Sequence, residues 1–278
     1  MKFTQLITIT GISLFLCACE SEDNRLTIIN SESFPENQIT LDGSLSQHLL
    51  TDSVFSDSGE TIQEQNVLTE RIDQMNSMAE ELRKFPSDSI WLALFANWEE
   101  FRVNHIDASG LPVVQSKSAT DSLANKESMR ATRKWAELNI NLLKLSGEIW
   151  FGDALEKLLY EPKLPVLSEK LLKSMIYTHI DDQIFINVIG SSAVNHHHTT
   201  GGNIRLIQKT DFPAVNELTI KCECNDVRYL DVFIRIPEWA VNPTVTHGNV
   251  KYVSHPGEYC QISRKWNDGD EIQVRLMN

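Results

Sequence analysis

The chain has 278 residues, 41% of them hydrophobic, with 38 acidic against 25 basic side chains and a formal net charge of −13. That length accommodates one large domain or two ordinary ones. The acidity excludes a nucleic-acid partner, whose phosphates need Lys and Arg, and excludes electrostatic adhesion to an anionic lipid surface.

The first element reads as a secretion signal. Lys2 precedes an apolar run from Leu6 to Leu16, and Leu16-Cys17-Ala18-Cys19 puts a small residue directly before a cysteine. That tetrapeptide resembles a bacterial lipobox, which implies cleavage after Ala18 and lipidation of Cys19. The run is shorter than the ~20 apolar residues of a spanning helix, so acyl chains are the expected attachment. The expected address is the bacterial cell envelope, at the outer membrane or cell surface. Glu20-Ser21-Glu22-Asp23-Asn24 then opens an acidic flexible tether over 19–62, with room for one short strand. It resembles surface-export signals of some lipoproteins, and it equally suits a solvated spacer.

From 63 to 177 apolar residues recur at helical spacing. Leu68, Ile72, Met75, Ala79 and Leu82 mark one side of a helix over Val67–Phe85. Ser87-Asp88-Ser89 supplies an N-cap for a helix over Ile90–Val103, on which Trp91, Leu94, Trp98 and Phe101 form a core stripe. Gly110 and Pro112 place a loop over Asn104–Ala119. Helices follow over Asp121–Ile149 and Asp153–Tyr160, and over Val166–Tyr177 after breaks at Pro162 and Pro165.

From 178 to 278 the period changes to two. Strands are expected over Gln183–Ile189, Asn203–Lys209, Glu217–Cys224, Tyr229–Ile236, Val250–Val253, Glu258–Arg264 and Glu271–Met277. Leu230, Val232, Ile234 and Ile236 share a face, and Asn267-Asp268-Gly269-Asp270 is turn chemistry. Short strands at this spacing predict an antiparallel β-sandwich and an α+β chain. Cys222, Cys224 and Cys260 fall on apolar faces and read as core thiols with at most one disulfide. His196-His197-His198 puts two imidazoles on one side of an extended chain. With no carboxylate or cysteine close by in sequence, it reads as a loop of exposed histidines and not an ion grip. Trp239 and Trp266, at strand or turn ends, read as packed under loops.

Four segments carry a family resemblance: Asp182-Gln183-Ile184-Phe185-Ile186-Asn187-Val188-Ile189-Gly190, Arg235-Ile236-Pro237-Glu238-Trp239-Ala240, Arg264-Lys265-Trp266-Asn267-Asp268-Gly269-Asp270, and Leu142-Leu143-Lys144-Leu145 through Glu156-Lys157-Leu158-Leu159-Tyr160. In this order they resemble glycoside hydrolase family 127, the β-L-arabinofuranosidases, over Ala136–Asn278. The resemblance implies an α/α barrel followed by β-sandwich domains. It also implies a cysteine nucleophile on zinc, held by a Glu-x-Cys pair and a later Cys-Cys-Pro motif. The helical region is too short for that barrel and is expected to be a truncated remnant.

The zinc-thiolate motifs do not map onto this sequence. Glu137 aligns with the family's glutamate and leaves Asn139 at the cysteine position, or Glu137 itself replaces the cysteine. The interval from Tyr160 to Tyr177, where Cys-Cys-Pro belongs, contains no cysteine. A thiolate is both ligand and nucleophile in that chemistry, so neither a metal nor another cofactor is expected. Hydrolysis by carboxylates needs two of them about 5–10 Å apart. Glu99, Glu100, Glu137, Glu148, Glu156, Asp181 and Asp182 are available, with Glu137 the catalytic candidate and Glu156 a structural helix residue.

The leading expectation is a degenerate arabinofuranosidase-like pseudoenzyme that binds glycan or supports polysaccharide utilisation. The alternatives are an active carboxylate glycosidase and a structural remnant without ligand. Expected partners are a glycan or oligosaccharide, the membrane through the acyl anchor on Cys19, and other envelope proteins.

Overall fold

The computed structural model describes residues 28–42, 45, 67–113, 122–160 and 167–277, so the signal segment, Cys19 and the acidic run after it lie outside the described residues. Two short strands, β1 (Glu32–Ser33) and β2 (Ile39–Leu41), come first. Among the described residues five α-helices of known extent follow: α1 (Val67–Lys84), α2 (Asp88–His105), α3 (Ser122–Ser146), α4 (Ile149–Leu159) and α5 (Glu169–Ile176). Their ends obey local chemistry. Ser87 caps α2 by accepting the Ile90 amide, and Ser168 caps α5 by accepting that of Leu171. Gly147, at φ +70°, stops α3 by donating to Leu143 O at 2.7 Å. Among the described residues the helices do not close into a barrel, and none is long and apolar enough to cross a membrane.

The strands that follow are β3 (Tyr177–Ile180), β4 (Gln183–Ile186), β5 (Ser192–His197), β6 (Asn203–Thr210), β7 (Glu217–Cys224), β8 (Arg228–Ile236), β9 (Val241–His247), β10 (Val250–Tyr252), β11 (Glu258–Trp266) and β12 (Glu271–Met277). All seven strands expected from the alternation form. The sequence reading missed β3, which follows α5 with no turn residue between, and β5 and β9, whose Asn, His and Pro residues blur the pattern. The strands make a five-stranded sheet in the order β1-β3-β4-β8-β11 and a seven-stranded sheet in the order β10-β9-β12-β7-β6-β5-β2. The chain leaves the first sheet after β4, builds β5 to β7 in the second, and returns as β8. That excursion lets β8 lie parallel to β4, so the antiparallel expectation is corrected at this one pairing.

Ile184, Val232, Ile234 and Ile262 of one sheet belong to the same buried core as Val194, Leu206, Ile220 and Ile272 of the other. On the opposite face of β8, Phe233 and Arg235 are also buried, where helices cover the five-stranded sheet. Residues 28–42, within the segment expected as a tether over 19–62, belong to the folded body. Strand β1 pairs with β3 at an edge of the first sheet, and β2 pairs with β5 at an edge of the second. One segment thus clasps both sheets.

Candidate functional site

The helix α3 carries the residues that the resemblance singles out. Asn139 is buried, its Oδ1 accepting from Trp98 Nε1 at 3.0 Å and its Nδ2 donating to Trp135 O at 2.7 Å. Trp98 and Trp135 stack with ring centroids 5.8 Å apart, and Phe151 meets Trp98 edge-on at 5.0 Å. The expected core role of Trp91 and Trp98 is what the structure shows. Two positions earlier on the same helix Glu137 is exposed, 3.9 Å from Arg133. Asn139 and Glu137 therefore face opposite environments, one sealed by indoles and one in water.

The other carboxylates separate by burial. Glu99 pairs with Arg102 and Glu100 with Arg71 on exposed helix surface. Asp181 occupies the β3–β4 turn at φ +48°. Glu148, Asp153 and Glu156 gather at the junction of α4 with the five-stranded sheet. There Arg235 of β8 donates Nη1 to Asp153, Nη2 to Glu156 and Nε to the Asn187 carbonyl. Trp239 Nε1 donates to Glu156 at 3.2 Å, and Tyr259 Oη donates to Asn187 Oδ1 at 2.7 Å. Gly152 lets the guanidinium lie against the helix, since a Cβ there would come within 2.6 Å of Arg235 Cδ.

Burial pushes the carboxyls of Glu148, Asp153 and Glu156 upward, and Arg235 opposes that rise at Asp153 and Glu156. Burial opposes the charge of Arg235, but Glu156 and Asp153 outweigh it and hold the guanidinium protonated. The structural role expected for Glu156 fits this placement. Asp153 escaped the sequence reading, although Asp153 and Glu156 stand one helical turn apart, the spacing that places two carboxylates on one face.

The histidine run is corrected. Only His197 is exposed; His196 and His198 are buried at 5% and 6% exposure. The missing carboxylate is Asp182, brought in from the β3–β4 turn. His196 Nε2 donates to Asp182 Oδ1 at 2.8 Å, Thr199 N donates to the same oxygen at 3.0 Å, and the Thr199 hydroxyl donates to Oδ2. Burial raises the Asp182 carboxyl, but the Thr199 and His196 donors outweigh it and hold the carboxyl below its usual range. Burial also lowers His196, against the pull of Asp182. His198 Nδ1 accepts the Thr200 amide at 3.1 Å, which leaves its Nε2–H to donate to Tyr229 O at 2.9 Å. With both nitrogens of His198 engaged, the cluster is a hydrogen-bonded joint. Among the described residues no group of three such side chains suits a metal ion. Phe34, between β1 and β2, lies over it with its ring 4.5 Å from His179 and 6.0 Å from His196.

Cys222, Cys224 and Cys260 are free thiols, the first and last fully buried as expected. Burial pushes Cys222 up, and pushes Cys260 up to about 12. Trp266 is buried and donates Nε1 to Leu230 O at 3.0 Å, whereas Trp239 keeps 38% of its surface in solvent.

Residues 183–277 match the family model described as the β-L-arabinofuranosidase, GH127 middle domain. Among solved structures, a glycoside hydrolase aligns with TM-score 0.59 and 15% identity, covering 74% of this chain and 46% of that one. A GH127 β-L-arabinofuranosidase from Geobacillus stearothermophilus T6 aligns with TM-score 0.58 and 16% identity, covering 74% and 41%. The GH127 β-arabinofuranosidase BT3674 gives TM-score 0.57 and 16% identity, covering 74% and 42%. No curated protein sequence matches the chain. The chain resembles part of the GH127 arabinofuranosidases in fold, and it spans less than half the length of these structures.

Proposed function

We propose that this chain is an exported protein, acylated on Cys19, that binds glycan at the cell envelope as a degenerate relative of the GH127 glycosidases. The observation that carries the loss of catalysis is Asn139. In one register of the resemblance the cysteine of the Glu-x-Cys pair is replaced by this carboxamide, bonded to Trp98 and shut beneath an aromatic stack; in the other it is replaced by Glu137, and neither register supplies a thiol. A carboxamide offers no thiolate to attack an anomeric carbon. The carboxylates at the α4 junction, Asp153 and Glu156, are both bound to Arg235, so a guanidinium stands where a sugar would have to lie between them.

A second reading, hydrolysis by carboxylates, draws on Glu148 and Asp153, whose carboxyls burial raises in the sense a general acid needs. Saturation-transfer NMR on the full-length protein in detergent, with arabinofuranose-bearing oligosaccharides, separates the two. Transfer with intact anomeric signals over hours supports the binding protein. Free arabinose, released in the presence of a chelator and lost in Asp153→Asn, supports the hydrolase. Export and anchoring are tested by palmitate labelling of cells expressing the chain; label persisting in Cys19→Ala would overturn the lipidation.

A further inference from the structure

Two indoles remain exposed where the helices meet the sandwich. Trp150, in the first turn of α4, has 45% of its surface in solvent and rests on Phe95, ring centroids 5.5 Å apart. Trp239, in the turn after β8, is 38% exposed, with one face stacked on Phe212 at 5.9 Å and 10°. Its Nε1 is fixed to Glu156. Each ring is thus backed by an aromatic neighbour while part of it stays open to water. Large apolar side chains held rigid at a surface lose little conformational freedom on binding.

Both rings border α4, Trp150 from its first turn and Trp239 through its bond to Glu156. Residues 150, 153 and 156 follow one another along α4, so Trp150 and the Glu156 contact of Trp239 are about 9 Å apart along the helix axis. Between them lies Asp153, whose side chain is 22% exposed and accepts the Glu238 amide at 3.4 Å. Glu238, next to Trp239 in sequence, lies near enough to the Glu99–Arg102 pair to help hold Arg102 protonated.

We propose that Trp150 and Trp239 form a paired platform for a short neutral oligosaccharide; this names the site of the glycan binding proposed above and rests on that reading. The C–H face of a sugar ring is apolar and packs on the electron-rich face of an indole. The Asp153 carboxylate and the rim of Glu238, Glu99 and Arg102 supply acceptors and donors for ring hydroxyls. The carboxylates around the rings disfavour uronate-bearing chains, which sets the ligand class as neutral.

The test uses full-length protein in detergent with linear arabinopentaose as probe and tri-galacturonate as the anionic control, read by saturation transfer and tryptophan fluorescence. Trp150→Ala and Trp239→Ala each weaken arabinopentaose binding by about tenfold or more. Trp150→Phe and Trp239→Phe retain most of it. Trp239 also bonds a buried carboxylate, so Trp150→Ala, a surface change with an unmoved melting temperature, decides if Trp239→Ala misfolds. Wild-type binding undiminished in Trp150→Ala overturns the platform and leaves the glycan-binding reading standing. No binding by wild type overturns both, and equal affinity for tri-galacturonate overturns the neutral ligand class.

Discussion

Arg235 on β8 and Glu156 on α4, 79 positions apart in sequence, close on each other where neither meets solvent. The guanidinium also holds Asp153 and the Asn187 carbonyl, so one side chain ties α4 to β8 and to the residue that follows β4 in the five-stranded sheet. A buried charge is tolerable only when its donors and acceptors are answered, and here one planar fork answers three acceptors.

Removing Arg235 leaves two buried carboxylates without their cation. Arg235→Met is expected to cost about 3–5 kcal/mol in urea unfolding. The double variant Arg235→Met with Glu156→Leu recovers a large part of that loss, because the stranded charge goes as well. Arg235→Lys does not restore stability, since an ammonium does not span the three acceptors. A loss below about 1 kcal/mol for Arg235→Met would contradict the role assigned to this contact.

Gly152 tests the same junction from the helix side. In an open helix Gly→Ala gains about 1 kcal/mol. At this position the added methyl meets Arg235 Cδ at 2.6 Å and Nε at 3.0 Å. Gly152→Ala is therefore expected to destabilise by about 1–3 kcal/mol. A raised melting temperature would show that Arg235 has room to move.

The Asp182–His196 joint makes stability depend on acid. Burial lowers His196 below its ordinary 6.5, so the unfolded chain takes up a proton that the folded chain resists. This stability is complete above about pH 6.5 and falls as pH drops, by up to about 1.4 kcal/mol per pH unit for one proton. Asp182, held below 3.8, contributes in the same sense and is lost at lower pH still. His198 and His179 are the other titratable groups near His196. His196→Gln keeps an N–H for Asp182 and removes the titration, which flattens the melting temperature between pH 6.5 and 5. An unchanged slope in that variant would place the acid sensitivity elsewhere.

Phe34 should make the N-terminal clasp measurable. Its ring lies on His179 and His196, and Phe34→Ala is expected to cost about 3–5 kcal/mol if residues 28–42 unfold together with the sandwich. Amide exchange that quickens at Ile39–Leu41 alone would mean that the clasp opens as a separate unit.

The buried thiols give a packing readout. Cys222 and Cys260 are 0% and 1% exposed, and burial raises both, so neither is a thiolate near neutral pH. Iodoacetamide at pH 8, mapped by mass spectrometry, is expected to modify them only after denaturation. Modification at the native rate of an exposed cysteine would mean that the sandwich opens.

The elements under the control of local chemistry were legible from the residues alone. The alternation of Leu230, Val232, Ile234 and Ile236 made β8 legible, and Ser87 fixed the start of α2, because side-chain period and capping act over a few residues. Of the short strands β1 and β2 the sequence left room for one and placed neither, since a strand of two or three residues has no period to read and forms only where a sheet edge receives it. The candidate site divides in the same way. The lack of a thiol at both Glu137 and Asn139 was legible, but the burial of Asn139 against Trp98 required α2 to be laid on α3. His196 looked solitary because Asp182 reaches it from a turn 14 positions away, and Arg235 looked like one motif residue until α4 delivered Asp153 and Glu156 to it. Periodicity tells which way a side chain faces; only the packed sheets and helices decide what stands opposite it, because contacts between distant segments leave no regular spacing in the chain.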